Sequence, residues 1–472
     1  MSENKDNSLP LVVTANTVAS VLNRPEAVEG IAKATAQNQD PMQAAMTIAF
    51  MGRVRSAIDK AQGRVGGDVM AVPSSEDEDA VPACILMSLL AEGNGQDKKG
   101  TTTPGRDLPQ GKEAKFDTND WAGWASVAIE KMRHIKKHPG RPSPVVIQPF
   151  PNQGRVAMLG DWGTGLYGAP RCAAQITRDP GSFAMLLHLG DIYYSGSSTE
   201  VKSRFIDAWP KRSDPGLIHR ATNGNHEMYA GGDAYFNDIL PLFEQESSYF
   251  AHANDHWLLI GLDTAHTDHG MDERQVNWLN QILALPEARN KKVIFFSHHQ
   301  LFSKLESQGR ALASDDCLGK LLREGRVTAW YWGHEHRCSI YDPHPGYGGL
   351  LARCVGHSGM PETRSKVRGW SVERTVETPQ DPVLWRRFDA ETKTKLFGKE
   401  PIDVPSGIVL DGRNRYMVDE ALKPSGIGSW FSTDENEKFA PHGYATLEFN
   451  GGDLVERVHT PDGFEIHQMK VG

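Results

Sequence analysis

Cysteine is scarce in this 472-residue chain: five residues, Cys84, Cys172, Cys317, Cys338 and Cys354, with no CxxC pair among them. An odd count without paired spacing excludes a disulfide framework and a zinc knuckle. No run approaches the roughly 18 apolar residues that a membrane span requires. A net positive charge is also missing. The formal value is -9, so nothing in the overall balance draws the chain to nucleic acid or to an anionic membrane surface. The first residues, "MSENKDNSLPLVVTAN", lack the basic start and apolar core of a secretory signal, and the expected address is the cytoplasm. With 39% apolar and 24% charged residues, the composition is that of a globular protein with ample core.

The chain changes texture near residue 150. Residues 1–150 contain segments with helical periodicity. One example is "DTNDWAGWASVAIEKMRHIKKH", which puts Trp121, Trp124, Ala128, Ile129, Met132 and Ile135 on one face. The stretch ends in the proline-rich "PGRPSPVVIQPFP", a boundary signal. The first 150 residues are thus expected to form a helical region that caps a site, binds a partner or builds an oligomer.

From 151 to 472 short apolar runs dominate: "VAMLG", "AMLLHLG", "LIHRATNG", "HWLLIGL", "KKVIFFS" and "VTAWYWG". Between them "DERQVNWLNQILAL" and "DDCLGKLLREG" read as helices, so the expected class is α/β with layered sheets. Residues 361–440, which contain Trp370, Trp385 and Trp430, are expected to form an insertion or cap. Glycine turns at "NGGD" and "PDG" predict β-hairpins over 441–472.

Nearly every apolar run is followed by a group able to bind a metal. Asp161 follows the first, Asp191 the second, Asn225 and His226 the third, His298 and His299 the fifth, and His334 and His336 the sixth. In open α/β sheets ligands collect beyond the carboxyl ends of strands, so these groups are expected to meet. Taken singly, each motif is an ordinary turn; the ordered set points to a metal centre.

In order, "GDWG", "GDIYY", "GNHE", "SHHQ" and "GHEH" resemble the five motifs of the calcineurin-like metallophosphoesterases, and the purple acid phosphatase branch in particular. The resemblance covers roughly residues 155–360 and implies a four-layer α/β/β/α sandwich around two metal ions. In most of that superfamily a histidine stands two residues after the first aspartate; here the position is Gly163. The resembled branch replaces that histidine with a tyrosine in Gly-Asp-x-x-Tyr, which points to Tyr194.

The implied ligands of metal one are Asp161, Asp191, Tyr194 and His336. Those of metal two are Asp191, Asn225, His298 and His334, with Asp191 bridging. A phenolate suits Fe(III), with Zn, Mn or Fe(II) at the second position. The implied reaction is hydrolysis of a small-molecule phosphate ester, monoesters favoured, with His226 assisting the leaving group. Phosphodiester or nucleotide hydrolysis is the near alternative. A scaffold that kept the fold and lost the chemistry is remote, because neither Asp191 nor His226 is missing. His299, His266, His269 and His357 are candidates for the substrate mouth or for packing around the ligands. Glu227, Glu335 and Trp162 are expected to support the site. Restoring histidine at 163 is expected to rebuild the commoner ligand set.

Overall fold

The computed structural model describes residues 137–471, apart from 166–167, 194–195, 197, 229–230, 268, 307–311, 314–315, 394–401 and 418–438. The expected helices before residue 137, Trp430 and Tyr194 therefore lie outside the described residues.

The strands form two large sheets and one small ribbon. In the six-stranded sheet, Gln153–Leu159, Met185–His188 and Ile218–Ala221 run parallel. The C-terminal meander of Tyr444–Asn450, Asp453–His459 and Glu465–Lys470 adds to it antiparallel. In the ten-stranded sheet, Trp257–Gly261, Lys292–Ser297, Val327–Trp332 and Leu351–Val355 form a parallel centre. The described strands Val372–Val376, Val383–Phe388 and Gly407–Gly412, all from 361–440, continue this sheet at one side.

Side-chain alternation along a strand explains the layering. Val156 and Met158 of the smaller sheet meet Ile294, Phe296, Ala329 and Tyr331 of the larger one in the core between the sheets. Their neighbours Ala157 and Leu159 face the other way. There they pack with Trp162 and with Ile176 of the helix Ala169–Arg178. Val293, Phe295 and Trp330 likewise turn outward, onto Leu279 and Ile282 of the helix Glu273–Ala284 and Leu318 of Asp316–Arg323. Both faces of each sheet are covered, which is why the strands read as continuous apolar runs. The result is the expected layered α/β/β/α sandwich.

Two details fix the layers on each other. Arg353 of the large sheet donates through Nε to Glu456 Oε1 of the small one at 2.7 Å, and Tyr331 Oη donates to Glu456 Oε2 at 2.7 Å, all three buried. Residues 138–150 lie against the sandwich. The His138 ring stacks on Phe236 at 4.3 Å, Trp278 Nε1 donates to the Pro144 carbonyl, and Phe150 enters the core between the sheets.

Candidate metal centre

The parallel strands of both sheets point their carboxyl ends the same way, and the ligand candidates follow them. The backbone there is unusual. Among the described residues seven non-glycine positions have positive φ, and five of them are Asp161 (52°), Asp191 (74°), His269 (51°), His334 (68°) and His336 (52°). L-residues avoid this region, and clusters of such positions mark functional sites where surrounding structure enforces them. Each bend turns the chain off its strand and leaves the side chain at the sheet edge.

Around Asp191 the polar atoms converge. His298 Nε2 lies 3.3 Å from Asp191 Oδ1 and 2.8 Å from Asn225 Oδ1, while His334 Nδ1 lies 3.0 Å from the same Asn225 oxygen. His298 Nδ1 is held by the Leu189 carbonyl at 2.8 Å, which orients the ring and leaves Nε2 for the centre. On the other side, His336 Nε2 lies 3.5 Å from Asp161 Oδ1. The two sets, Asp161 with Asp191 and His336, and Asp191 with His298 and His334, each bring their ligand atoms within 4.8 Å, and Asp191 belongs to both.

The phenol in this cluster is that of Tyr193. Its hydroxyl donates to Asp161 Oδ1 (2.8 Å) and Asp191 Oδ2 (3.1 Å) and lies 3.0 Å from His336 Nε2. Motif spacing points to the adjacent Tyr194, which is outside the described residues.

Electrostatics suit cations. Burial, then the charge of Asp191, holds Asp161 well above the usual carboxylate range. Burial also opposes ionisation of Asp191, but His298 and His226 outweigh it and hold that carboxyl low. Burial likewise keeps the Tyr193 phenol protonated, reinforced by Asp161 and Asp191. It pushes His336 down to about 3 and His298 and His334 below the usual imidazole range. Neutral imidazoles and crowded buried carboxylates are what a cation needs. Asp161 Oδ2 is buried without a hydrogen-bond partner, a further acceptor awaiting a positive charge.

Gly163 lacks a side chain for a reason of space. A Cβ there would stand 2.7 Å from Ile192 Cα and 2.8 Å from the Asp191 carbonyl oxygen, because Tyr193 N donates to the Gly163 carbonyl and the two loops touch. The expectation that histidine at 163 rebuilds the site therefore fails sterically. Gly163→His should lower stability by about 1–3 kcal/mol, the usual cost of overpacking, and reduce bound metal instead of increasing it. Thermal melting and metal analysis check both.

The remaining candidates divide. His226 is buried, donates its backbone N–H to Asp191 Oδ1 at 3.1 Å, and packs its ring on Tyr193 at 4.4 Å. Glu227 Oε2 accepts from Asp191 N at 3.2 Å and braces the bridging loop. Glu335 accepts from Ser303 and Trp332. Trp162 is fully buried and donates to the Ala169 carbonyl, so it packs beneath the loop. His299 and His269 join His334 in a third grouping. His266 instead lies 2.9 Å from the His138 carbonyl, and His357 is buried beside Gly443 and His442; neither enters a ligand grouping.

Among the described residues no helix is long and apolar enough to cross a membrane. Residues 154–338 match the calcineurin-like phosphoesterase family. No curated protein matches the chain. Among solved structures it is similar to a purple acid phosphatase from yellow lupin seeds, at 14% identity and TM-score 0.44, covering 70% of this chain and 55% of that one. It thus spans about half of that relative's length. It is also similar to GAP50, the anchor in the inner membrane complex of Plasmodium, at 13% identity, TM-score 0.42, 68% of this chain and 89% of that one. A predicted phosphoesterase of Streptococcus pneumoniae gives 10%, 0.28, 67% and 97%. The match to the calcineurin-like phosphoesterase family thus takes in residues 154–338, the stretch that holds every described ligand candidate.

Proposed function

We propose that this protein is a dinuclear metal hydrolase of phosphate esters, with monoesters preferred. The observation that carries the reading is the convergence of Asp161, Asp191, Asn225, His298, His334 and His336 at the strand ends, four of them on positive-φ backbone. When bound, the two cations supply Lewis acidity that lowers the pKa of a water and neutralises phosphoryl charge. Asp161, His336 and a tyrosine would hold one ion; Asn225, His298 and His334 would hold the other; Asp191 would serve both. His226 stands beside Asp191 and would give its proton to the departing alkoxide oxygen. Metal analysis with a panel of mono- and diesters tests the reading. A metal-loaded protein inactive on all of them would sink it.

A phenolate donor favours Fe(III) as the first metal. With Tyr193 as the phenolic donor, Fe(III) would take the place of its hydroxyl proton, which would pass to Asp161 or to solvent, and phenolate-to-iron charge transfer would colour the protein. Iron-reconstituted wild type should be pink to purple, Tyr193→Phe colourless, and Tyr194→Phe still coloured. The reverse pattern would return the role to Tyr194, as motif spacing has it. Colour in both variants, or in neither protein nor variant, would remove tyrosine from the ligand set.

A further inference from the structure

We propose that His269, His299 and His334 hold a third cation beside the pair, an imidazole site for a borderline ion such as Zn(II). Each of the three offers a ring nitrogen, and these lie within 4.8 Å of one another. The His269 and His299 ring centroids are 3.9 Å apart, and His334 lies 4.7 Å from His299 and 5.3 Å from His269. His269 and His299 are fully buried.

Two independent features point to a ligand. His299 Nδ1 is engaged by Thr264 Oγ1 at 3.1 Å, and the same hydroxyl oxygen accepts the His299 backbone N–H at 3.0 Å. That anchoring leaves Nε2, which is buried and has no hydrogen-bond partner. A ring fixed through one nitrogen with the other left for the site is how proteins present histidine to metals. The second feature is backbone. His269 has φ 51° and shares this strained conformation with Asp161, Asp191, His334 and His336, all assigned above to the pair. Strain at a buried histidine outside the expected motifs is explained if its ring, too, must reach a fixed point.

Donor chemistry selects the ion. Three imidazoles without a carboxylate suit Zn, Ni or Cu and reject Mg and Ca, which demand oxygen. Three protein donors also leave a fourth tetrahedral position for water or a substrate oxygen. His334 is partly exposed, so the site has an approach from solvent. The proposal rests on the dinuclear reading for the neighbouring ions: His334, whose Nδ1 faces Asn225, would serve both as a bridging imidazolate, whereas His269 and His299 play no part in that reading.

The full-length protein, stripped with chelator, reloaded with excess Zn(II) and desalted, should carry three zinc ions per chain. His269→Asn and His299→Gln should each carry two, with one tetrahedral component lost from the visible spectrum of the Co(II) form. Asp191→Asn should keep the imidazole-bound ion. Two ions in wild type and in both variants would overturn this site and leave the pair intact. One ion in the variants would show that these histidines serve the pair, which also overturns it. No zinc in wild type would overturn both readings. The wild-type count decides alone if either variant fails to fold.

Discussion

Asp191→Asn should release both cations of the pair and cut turnover by roughly 10³, since several kcal/mol of charge stabilisation at about 1.4 kcal/mol per decade are lost. Its carboxylate is common to both ligand groupings: Oδ1 faces His298 at 3.3 Å and Oδ2 faces Tyr193 at 3.1 Å. Asparagine keeps the size and one acceptor but removes the negative charge. It also places an NH₂ group where either His298 or the phenol now meets an oxygen. The fold should survive, because the loop is held by backbone contacts that do not need the charge. Asp161 N donates to the Gly190 carbonyl, and Glu227 accepts from Asp191 N. Relief of carboxylate crowding against Asp161 should raise the melting temperature of the metal-free protein. Metal content and kcat/KM measured on one preparation settle the matter. A variant that retains two ions and full turnover would show that Asp191 bridges nothing.

Much of this candidate centre is legible in the sequence. The six apolar runs singled out in the sequence are all strands, and the polar residue after each lies at the sheet edge, because a parallel sheet covered on both faces leaves only its ends for chemistry. Less of the fold's outer parts could be read. The strands Val372–Val376 and Val383–Phe388 mix exposed charges with apolar positions, as an edge does, and resemble loop in composition. The inward turn of Tyr193 is not legible in "GDIYY". It goes with the close contact of Gly163 with Ile192, a tertiary fact. The burial of His269 is hidden in the sequence for a related reason. "DTAHTDHG" reads as a polar surface loop, and only its packing against His299 and His334 shows the second histidine to be buried. A histidine followed by glycine after a strand was the one available signal.

Removing the His226 ring should separate binding from chemistry. His226 contributes two things to the centre. Its backbone N–H donates to Asp191 Oδ1, and its ring lies over Tyr193 with Nε2 3.8 Å from Asp191 Oδ2. Alanine deletes the ring and keeps the N–H, so the bridging carboxylate stays aimed and metal content should be unchanged. Turnover should fall by roughly 10²–10⁴, the span a positioned proton donor contributes. The loss should depend on the leaving group. An alkyl phosphate needs its oxygen protonated as it departs and should show the full effect, whereas a nitrophenyl phosphate leaves as a stable anion and should show much less. That difference distinguishes proton donation from a purely steric role, which would slow both substrates alike. If the variant hydrolyses the alkyl ester at the wild-type rate, His226 has no part in the chemistry. If it loses metal, the ring is a support for the centre and the proton must come from another group.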